Sequence, residues 1–135
     1  MKDSIKVVVV GSCGCGKTSI INRLANDTFS PEHISTEGAS FNQIEFTFPE
    51  YQNKILNMEI WDTAGQEQYR ALSKIFYKDA DAAILVYDTT NKESFKDLKE
   101  YWIDQVKEYG GQNLSKNNTY VYIRIYSSEC RWKQM

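Results

Sequence analysis

A glycine-rich segment near the amino terminus has the residue types of a phosphate-binding loop. It reads Gly11-Ser12-Cys13-Gly14-Cys15-Gly16-Lys17-Thr18 and is followed by Ser19. The spacing fits G-x-x-x-x-G-K-[ST], in which glycines let several backbone N–H groups point at one anion. The lysine of such a loop reaches the β- and γ-phosphates, and the threonine hydroxyl can hold Mg²⁺. Residues 11–19 are therefore predicted to bind nucleotide phosphates, with Lys17 also acting in catalysis.

A second segment could complete a hydrolytic site. It reads Asp62-Thr63-Ala64-Gly65-Gln66. An acidic side chain there can hold Mg²⁺ through water, the Gly65 N–H can face a γ-phosphate, and Gln66 can orient an attacking water molecule. Turns with Asp and Gly are common, so this segment supports catalysis only in combination with the glycine-rich loop.

The strands that must position these residues follow from hydrophobic patterning. Residues 5–10 and 82–87 are short apolar runs and predict buried parallel strands. Apolar and polar residues alternate in 41–48 and again in 56–60, which predicts a hairpin with one solvated face. Residues 120–126 also alternate and could form one more strand.

Two helical patterns accompany the strands. Residues 17–25 carry Ile20, Ile21 and Leu24 on one helical face. Thr90 and Glu93 have capping-box spacing and predict the start of a later helix. Its predicted apolar positions, and the glycines that should end it, are Phe95, Leu98, Trp102, Val106 and Gly110-Gly111. The order of elements predicts an α/β fold with a mostly parallel sheet and flanking helices.

Composition bounds the classes of function. The 135 residues carry a net charge of −2, with 41% hydrophobic and 25% charged residues, which is typical of one soluble globular domain. No basic cluster predicts nucleic-acid binding. The three cysteines do not suggest a disulfide framework and fit a cytoplasmic protein. No lipid-attachment motif is recognised, and Cys-x-Cys with the distant His33 does not predict a metal site.

Together the motifs resemble the Ras superfamily of P-loop NTPases and, within it, the Rab family of small GTPases. The segments that carry the resemblance are the glycine-rich loop, Ser35-Thr36-Glu37-Gly38-Ala39-Ser40-Phe41, Trp61-Asp62-Thr63-Ala64-Gly65-Gln66-Glu67-Gln68-Tyr69 and Asp88-Thr89-Thr90-Asn91-Lys92-Glu93-Ser94-Phe95.

The resemblance implies a switch in vesicle traffic that binds GTP or GDP with Mg²⁺ and slowly hydrolyses GTP to GDP and phosphate. It implies that Thr36 is a Mg²⁺ ligand together with Thr18 and Asp62. It also implies that Phe41, Trp61 and Phe76 form an aromatic patch for effectors. The implied partners are a GTPase-activating protein, an exchange factor and Rab-type effectors, which would act on a monomer at endomembranes.

The sequence also departs from the family. Glu37 stands where Rabs usually carry isoleucine, and neither the Asn-Lys-x-Asp motif nor the Ser-Ala-Lys loop that reads guanine occurs. We therefore expect an incomplete small-GTPase domain at 1–118 and a divergent tail at 119–135, with the last strand or strands and helices missing. A missing helix should leave exposed several of Val7, Val9, Ile84 and Val86, or of the alternate residues on the other face of these strands.

Two alternative functions remain open. One is a non-enzymatic fragment with weak, unselective nucleotide binding. The other is a P-loop phosphotransferase that uses ATP.

Overall fold

The computed structural model describes residues 3–28, 39–63, 70–111, 114 and 120–125. In chain order the elements are β1 (Ser4–Val10), α1 (Lys17–Asn26), β2 (Ala39–Phe48), β3 (Lys54–Thr63), α2 (Arg70–Tyr77), β4 (Ala82–Asp88), α3 (Lys92–Asp97), a π-helical turn (Leu98–Trp102), α4 (Ile103–Tyr109) and β5 (Tyr120–Ile125). A short 3₁₀ turn, Pro49–Tyr51, lies between β2 and β3.

The described strands form one five-stranded sheet in the order β2-β3-β1-β4-β5. β1 is parallel to both β3 and β4, β5 is parallel to β4, and only β2 runs antiparallel, against β3. The predicted mostly parallel α/β sheet is confirmed. The strand predicted at 120–126 also forms and ends at Ile125. The domain boundary at residue 118 stays a prediction.

The hairpin of β2 and β3 has the predicted antiparallel pairing, but each strand is longer than its pattern indicated. β2 begins at Ala39 and β3 continues to Thr63, where Ala39 and Thr63 are paired. Gln52 and Asn53 turn the chain in the left-handed region, with φ of 58° and 56°. The extension of β3 matters for the site because it carries Asp62 to the end of the strand.

The core lies on both faces of the sheet because alternate side chains of β1 point to opposite sides. Val8 and Val10 pack with Leu85 on one face, and Val9 packs with Val86 on the other. The second face is covered in part by Ile21 of α1 and by Cys15, which lies just before α1.

This packing corrects two expectations. Val7, Val9 and Val86 are not exposed but are 3%, 0% and 0% accessible, because β1 is flanked by strands on both sides and α1 packs beside them; Ile84 is half-buried. Leu24, predicted on the buried face of α1, is 46% exposed, whereas Ile21 is buried. Helical spacing alone did not show that α1 turns its last apolar residue away from the sheet.

The helical segment after β4 contains a π-helical turn with a geometric cause. Its fully buried positions are spaced by four residues: Ser94, Leu98, Trp102 and Val106, each 0–1% accessible. In a regular α-helix four residues advance about 40° beyond a full turn, so three such steps would drift about 120° from the core. In the wide turn the Ile103 N–H donates to the Leu98 carbonyl, five residues back. The wide turn offsets this drift and keeps the row facing the core.

The start of this segment differs from the predicted capping box. The N-cap is Asn91, whose side chain accepts a hydrogen bond from the Glu93 N–H. The Thr90 N–H and hydroxyl instead donate to the Asp88 carboxylate at 2.8 and 2.6 Å. Because Asp88 holds Thr90 in the turn, the helix begins one residue later. Phe95, predicted in the core, is 38% exposed and packs on Tyr87.

Among the described residues, no helix has the length and apolar character needed to span a bilayer.

The buried row generates a stability prediction. Trp102→Ala should destabilise the fold by about 3–5 kcal/mol, because it removes a large, fully buried side chain and leaves a cavity. Ile75→Ala is the control, since Ile75 is 68% exposed and its truncation should change stability by less than about 0.5 kcal/mol. Urea unfolding followed by tryptophan fluorescence and circular dichroism measures both. Equal midpoints for the two variants would contradict the packing described here.

Candidate functional site

The glycine-rich loop connects β1 to α1, and its backbone conformation requires glycine. Gly14 and Gly16 have φ of 78° and 87°, in the left-handed region. A Cβ on Gly11, where φ is 153°, would lie 2.3 Å from the Val86 carbonyl oxygen. The Cys15 N–H donates to the Ser12 carbonyl at 3.3 Å and closes the turn. The predicted loop is therefore formed in the structure.

Lys17 lies inside this loop. Its side chain is 6% accessible, and Nζ donates to the carbonyl oxygens of Gly11 at 2.8 Å and Ser12 at 2.9 Å. Burial lowers the pKa of the Lys17 ammonium, while Cys15 and the Asp62 carboxylate act in the opposite direction. The hydrogen bonds to carbonyl oxygens orient the ammonium without neutralising it, which suits a group that binds an anion.

The two predicted Mg²⁺ ligands in the described structure meet at the end of the sheet. The Thr18 hydroxyl donates a hydrogen bond to Oδ2 of Asp62. The parallel register pairs Val9 with Asp62, and the Thr63 hydroxyl donates to the Val9 carbonyl at 2.7 Å. These contacts fix the end of β3 beside the loop. A hydroxyl and a carboxylate oxygen are hard donors of the kind that Mg²⁺ prefers.

The two cysteines of the loop have different surroundings. Cys13 is exposed and Cys15 is buried. Burial raises the pKa of the Cys15 thiol, partly offset by Lys17 and by hydrogen bonds with the Asp88 backbone and the Ser94 side chain. Cys15 therefore packs as a small core residue and does not face a ligand as a thiolate.

The remaining predicted site residues divide into two groups. Ser19 lies in the first turn of α1, next to Thr18. Thr36, Gly65 and Gln66 lie outside the described residues, as does Glu37, so their predicted roles stay predictions.

The three aromatic residues predicted to form a patch are in contact. The ring centroids of Phe41 and Trp61 are 5.0 Å apart, and those of Trp61 and Phe76 are 5.4 Å apart. Lys6 Nζ lies 5.3 Å from the Trp61 ring. Phe41 is 47% exposed, and Trp61 and Phe76 are half-buried. Strand pairing of Phe41 with Trp61 brings the first two together, and α2 supplies the third.

Sequence reasoning missed one residue that contacts the loop. The Ser12 hydroxyl donates to Oδ2 of Asp97 at 2.8 Å, across 85 residues of sequence. Asp97 lies in a helical segment with many charged residues, and nothing in its local pattern distinguishes it from its neighbours. Only the packing of α3 beside the loop reveals the contact.

The loop geometry predicts different outcomes for two glycine substitutions. Gly11→Ala should lower the yield of folded protein and prevent phosphate binding, because its Cβ would overlap backbone of β4. Gly14→Ala is the matched control, since a Cβ there meets nothing within 4 Å and the substitution carries only the strain of its positive φ, about 1–2 kcal/mol. Thermal unfolding of both variants, followed by nucleotide titration, measures the difference. A Gly11→Ala variant that is more stable than Gly14→Ala would contradict the close approach of Gly11 to the Val86 carbonyl.

Several known proteins are similar in sequence to this chain. The family profile described as "Ras of Complex, Roc, domain of DAPkinase" matches residues 6–121. The chain is 38% identical to the Ypt/Rab-type GTPase YPT7 of Saccharomyces cerevisiae, over 90% of this chain and 57% of that protein. It is 42% identical to the human Ras-related protein Rab-22A, over 82% of this chain and 55% of the relative. It is 37% identical to the Ras-related protein Rab-1 of Theileria annulata, over 82% of this chain and 49% of the relative.

The chain thus spans about half the length of the relatives it matches. The matched region contains the glycine-rich loop, the Asp62 strand end and the aromatic contacts described above. On the profile match and the P-loop sheet together, the chain belongs to the Ras-like family of GTPase domains, and the curated relatives that it matches are named as Rab-type proteins.

Proposed function

We propose that this protein binds GTP and GDP with Mg²⁺ and hydrolyses GTP slowly, as a switch in vesicle traffic. The observation that carries the proposal is the position of Lys17. Its ammonium is buried in the glycine-rich loop, where it donates to the Gly11 carbonyl, and it lies next to the contact between Thr18 and Asp62. The relatives named as Rab proteins and as a Ypt/Rab-type GTPase support the same activity.

The loop and Lys17 act on the phosphates. Backbone N–H groups of the loop and the amino end of α1 offer donors and positive potential to an anion. Lys17 is held in orientation by two carbonyl oxygens before any ligand arrives, so little reorganisation accompanies binding. Its charge would stabilise the phosphates in both the ground state and the transition state.

The donor set fits Mg²⁺. Thr18 and Asp62 supply oxygen atoms at one point beside the loop, and Thr36 is the third predicted ligand. An Mg²⁺ ion held by these oxygens would supply positive charge that stabilises the negative charge of the phosphates. The Thr18 hydroxyl, which donates to Asp62, and the Asp62 carboxylate would each offer an oxygen to that ion.

Hydrolysis needs a water molecule in line with the γ-phosphate. Gln66, with its short neutral side chain, is our candidate to orient that water, and the Gly65 N–H our candidate to contact the γ-phosphate. Intrinsic turnover in the best-known member of the superfamily is about 10⁻⁴ s⁻¹, and a partner's arginine raises it roughly 10⁵-fold. We therefore expect slow turnover that is accelerated by a GTPase-activating protein.

The aromatic patch of Phe41, Trp61 and Phe76 is our candidate for effector binding. Its rings are in contact and include one half-exposed member, which suits a hot spot for a protein partner. Exchange factors and endomembrane association enter the proposal through the same family relationship.

Two substitutions separate binding from chemistry. Lys17→Ala should abolish detectable nucleotide binding, because it removes the charge that neutralises the phosphates. Gln66→Leu should keep binding and slow hydrolysis, because it acts only on the water. Titration with a fluorescent guanine nucleotide and single-turnover hydrolysis measure the two steps. Unchanged affinity in Lys17→Ala would contradict the assignment of the loop.

Base selectivity provides a separate prediction. The residues after β5 read Tyr126-Ser127-Ser128-Glu129, where the family has the aspartate that accepts two hydrogen bonds from guanine. Such bonds contribute about 1.5–3 kcal/mol each, so their loss should cost about two to four decades in affinity. The alternative function, a non-enzymatic fragment, predicts weak, Mg²⁺-dependent binding with little preference for GTP over ATP, whereas a GTP switch requires that other residues read the base. Competition between the two nucleotides tests this, and a thousandfold preference for GTP would show that other residues read the base.

A further inference from the structure

The contact between Ser12 and Asp97 joins the phosphate-binding loop to a separate helix. The Ser12 hydroxyl donates to Oδ2 of Asp97 at 2.8 Å in a partly buried setting. A hydrogen bond to a charged acceptor is roughly twice as strong as a neutral one, and partial burial limits competition from water. It therefore restrains Ser12 more firmly than a surface contact would.

Ser12 is one of the two residues whose carbonyl oxygens hold the Lys17 ammonium, the other being Gly11. Its carbonyl oxygen accepts from Lys17 Nζ at 2.9 Å and from the Cys15 N–H at 3.3 Å. The Ser12 hydroxyl and carbonyl belong to one residue. A displacement of Ser12 at its hydroxyl therefore also displaces its carbonyl oxygen. Any displacement of Ser12 would alter both the direction of the Lys17 ammonium and the turn at Cys15.

Asp97 is itself fixed by the packing that follows it. It is the last residue of α3, directly before the π-helical turn, and the adjacent Leu98 is 0% accessible. Three residues before Asp97, the helix is also fixed to the end of β4, where the Ser94 hydroxyl donates to the Asp88 carbonyl at 3.1 Å. π-helical turns occur frequently at functional sites. Asp97 is therefore a rigid acceptor presented to a glycine-rich loop that has few internal restraints.

We propose that Asp97 is a positioning residue, which holds the phosphate-binding loop through the Ser12 hydroxyl in the arrangement that orients Lys17. The inference rests on the proposed function, because the ligand of the loop is a nucleotide phosphate. Asp97 does not contact the ligand, and its effect passes entirely through Ser12.

The experiment uses variants of the full chain. Asp97→Ala removes the acceptor, Ser12→Ala removes the donor, and Asp97→Asn keeps an acceptor oxygen without the charge. Asp104→Ala is the matched control, since Asp104 is an exposed acidic residue on α4. The readouts are dissociation of a fluorescent guanine nucleotide in Mg²⁺, amide hydrogen exchange at Cys15, and the urea midpoint.

We expect Asp97→Ala and Ser12→Ala each to accelerate nucleotide dissociation on the order of tenfold and to accelerate exchange of the Cys15 amide. The double variant should be no worse than either single variant, because both remove the same hydrogen bond. Asp97→Asn should give values between those of Asp97→Ala and the parent, because it keeps an acceptor oxygen but loses the charge. Asp104→Ala should match the parent.

Two results would overturn the inference. The first is Asp97→Ala with a lowered urea midpoint but unchanged dissociation and unchanged Cys15 exchange, which is the outcome of a purely structural contact. The second is additive effects of Ser12→Ala and Asp97→Ala. Failure of the parent to bind any nucleotide would contradict the proposed function, and the amide-exchange comparison would still decide whether Asp97 positions the loop.

Discussion

The pairing of β1 with a parallel strand on each side is the constraint on which the site depends. β3 and β4 run in the same direction as β1, so the carboxyl ends of all three strands lie at the same end of the sheet. The loop leaves β1 at that end, Asp62 is the penultimate residue of β3 there, and Asp88 is the last residue of β4. The pairing of Val9 with Asp62 and the hydrogen bond from the Thr63 hydroxyl to the Val9 carbonyl fix this alignment.

Burial of Lys17 illustrates how such a site is at once costly and useful. An ammonium at 6% accessibility loses hydration, which is why its pKa is lowered. Hydrogen bonds to two carbonyl oxygens compensate part of the lost hydration and fix the side chain. An arriving polyphosphate can supply the opposite charge that these neutral partners lack. A bound polyphosphate would therefore offset part of the desolvation that lowers the pKa of Lys17.

Much of the fold could be predicted because its signals are local. The apolar run of β1, the alternation in β2 and β3, and the glycine spacing of the loop each follow from a few adjacent residues. Where prediction was wrong, tertiary packing or a competing side-chain contact decided the outcome. Leu24 follows the helical pattern of α1 yet lies at the surface, and Thr90 is held by Asp88 and so does not cap the helix. Asp97 could not be found in advance, since its partner is 85 residues away.

The π-helical turn separates two parts of the segment after β4, which make different contacts. Residues before it, such as Ser94 and Asp97, keep the phase set by the sheet edge and the loop. Residues after it, such as Val106, keep the phase set by the core. In a regular helix, any change in the orientation of one half would rotate the other. Here the wide turn takes up the difference, so Asp97 reaches the glycine-rich loop while Val106 stays in the core.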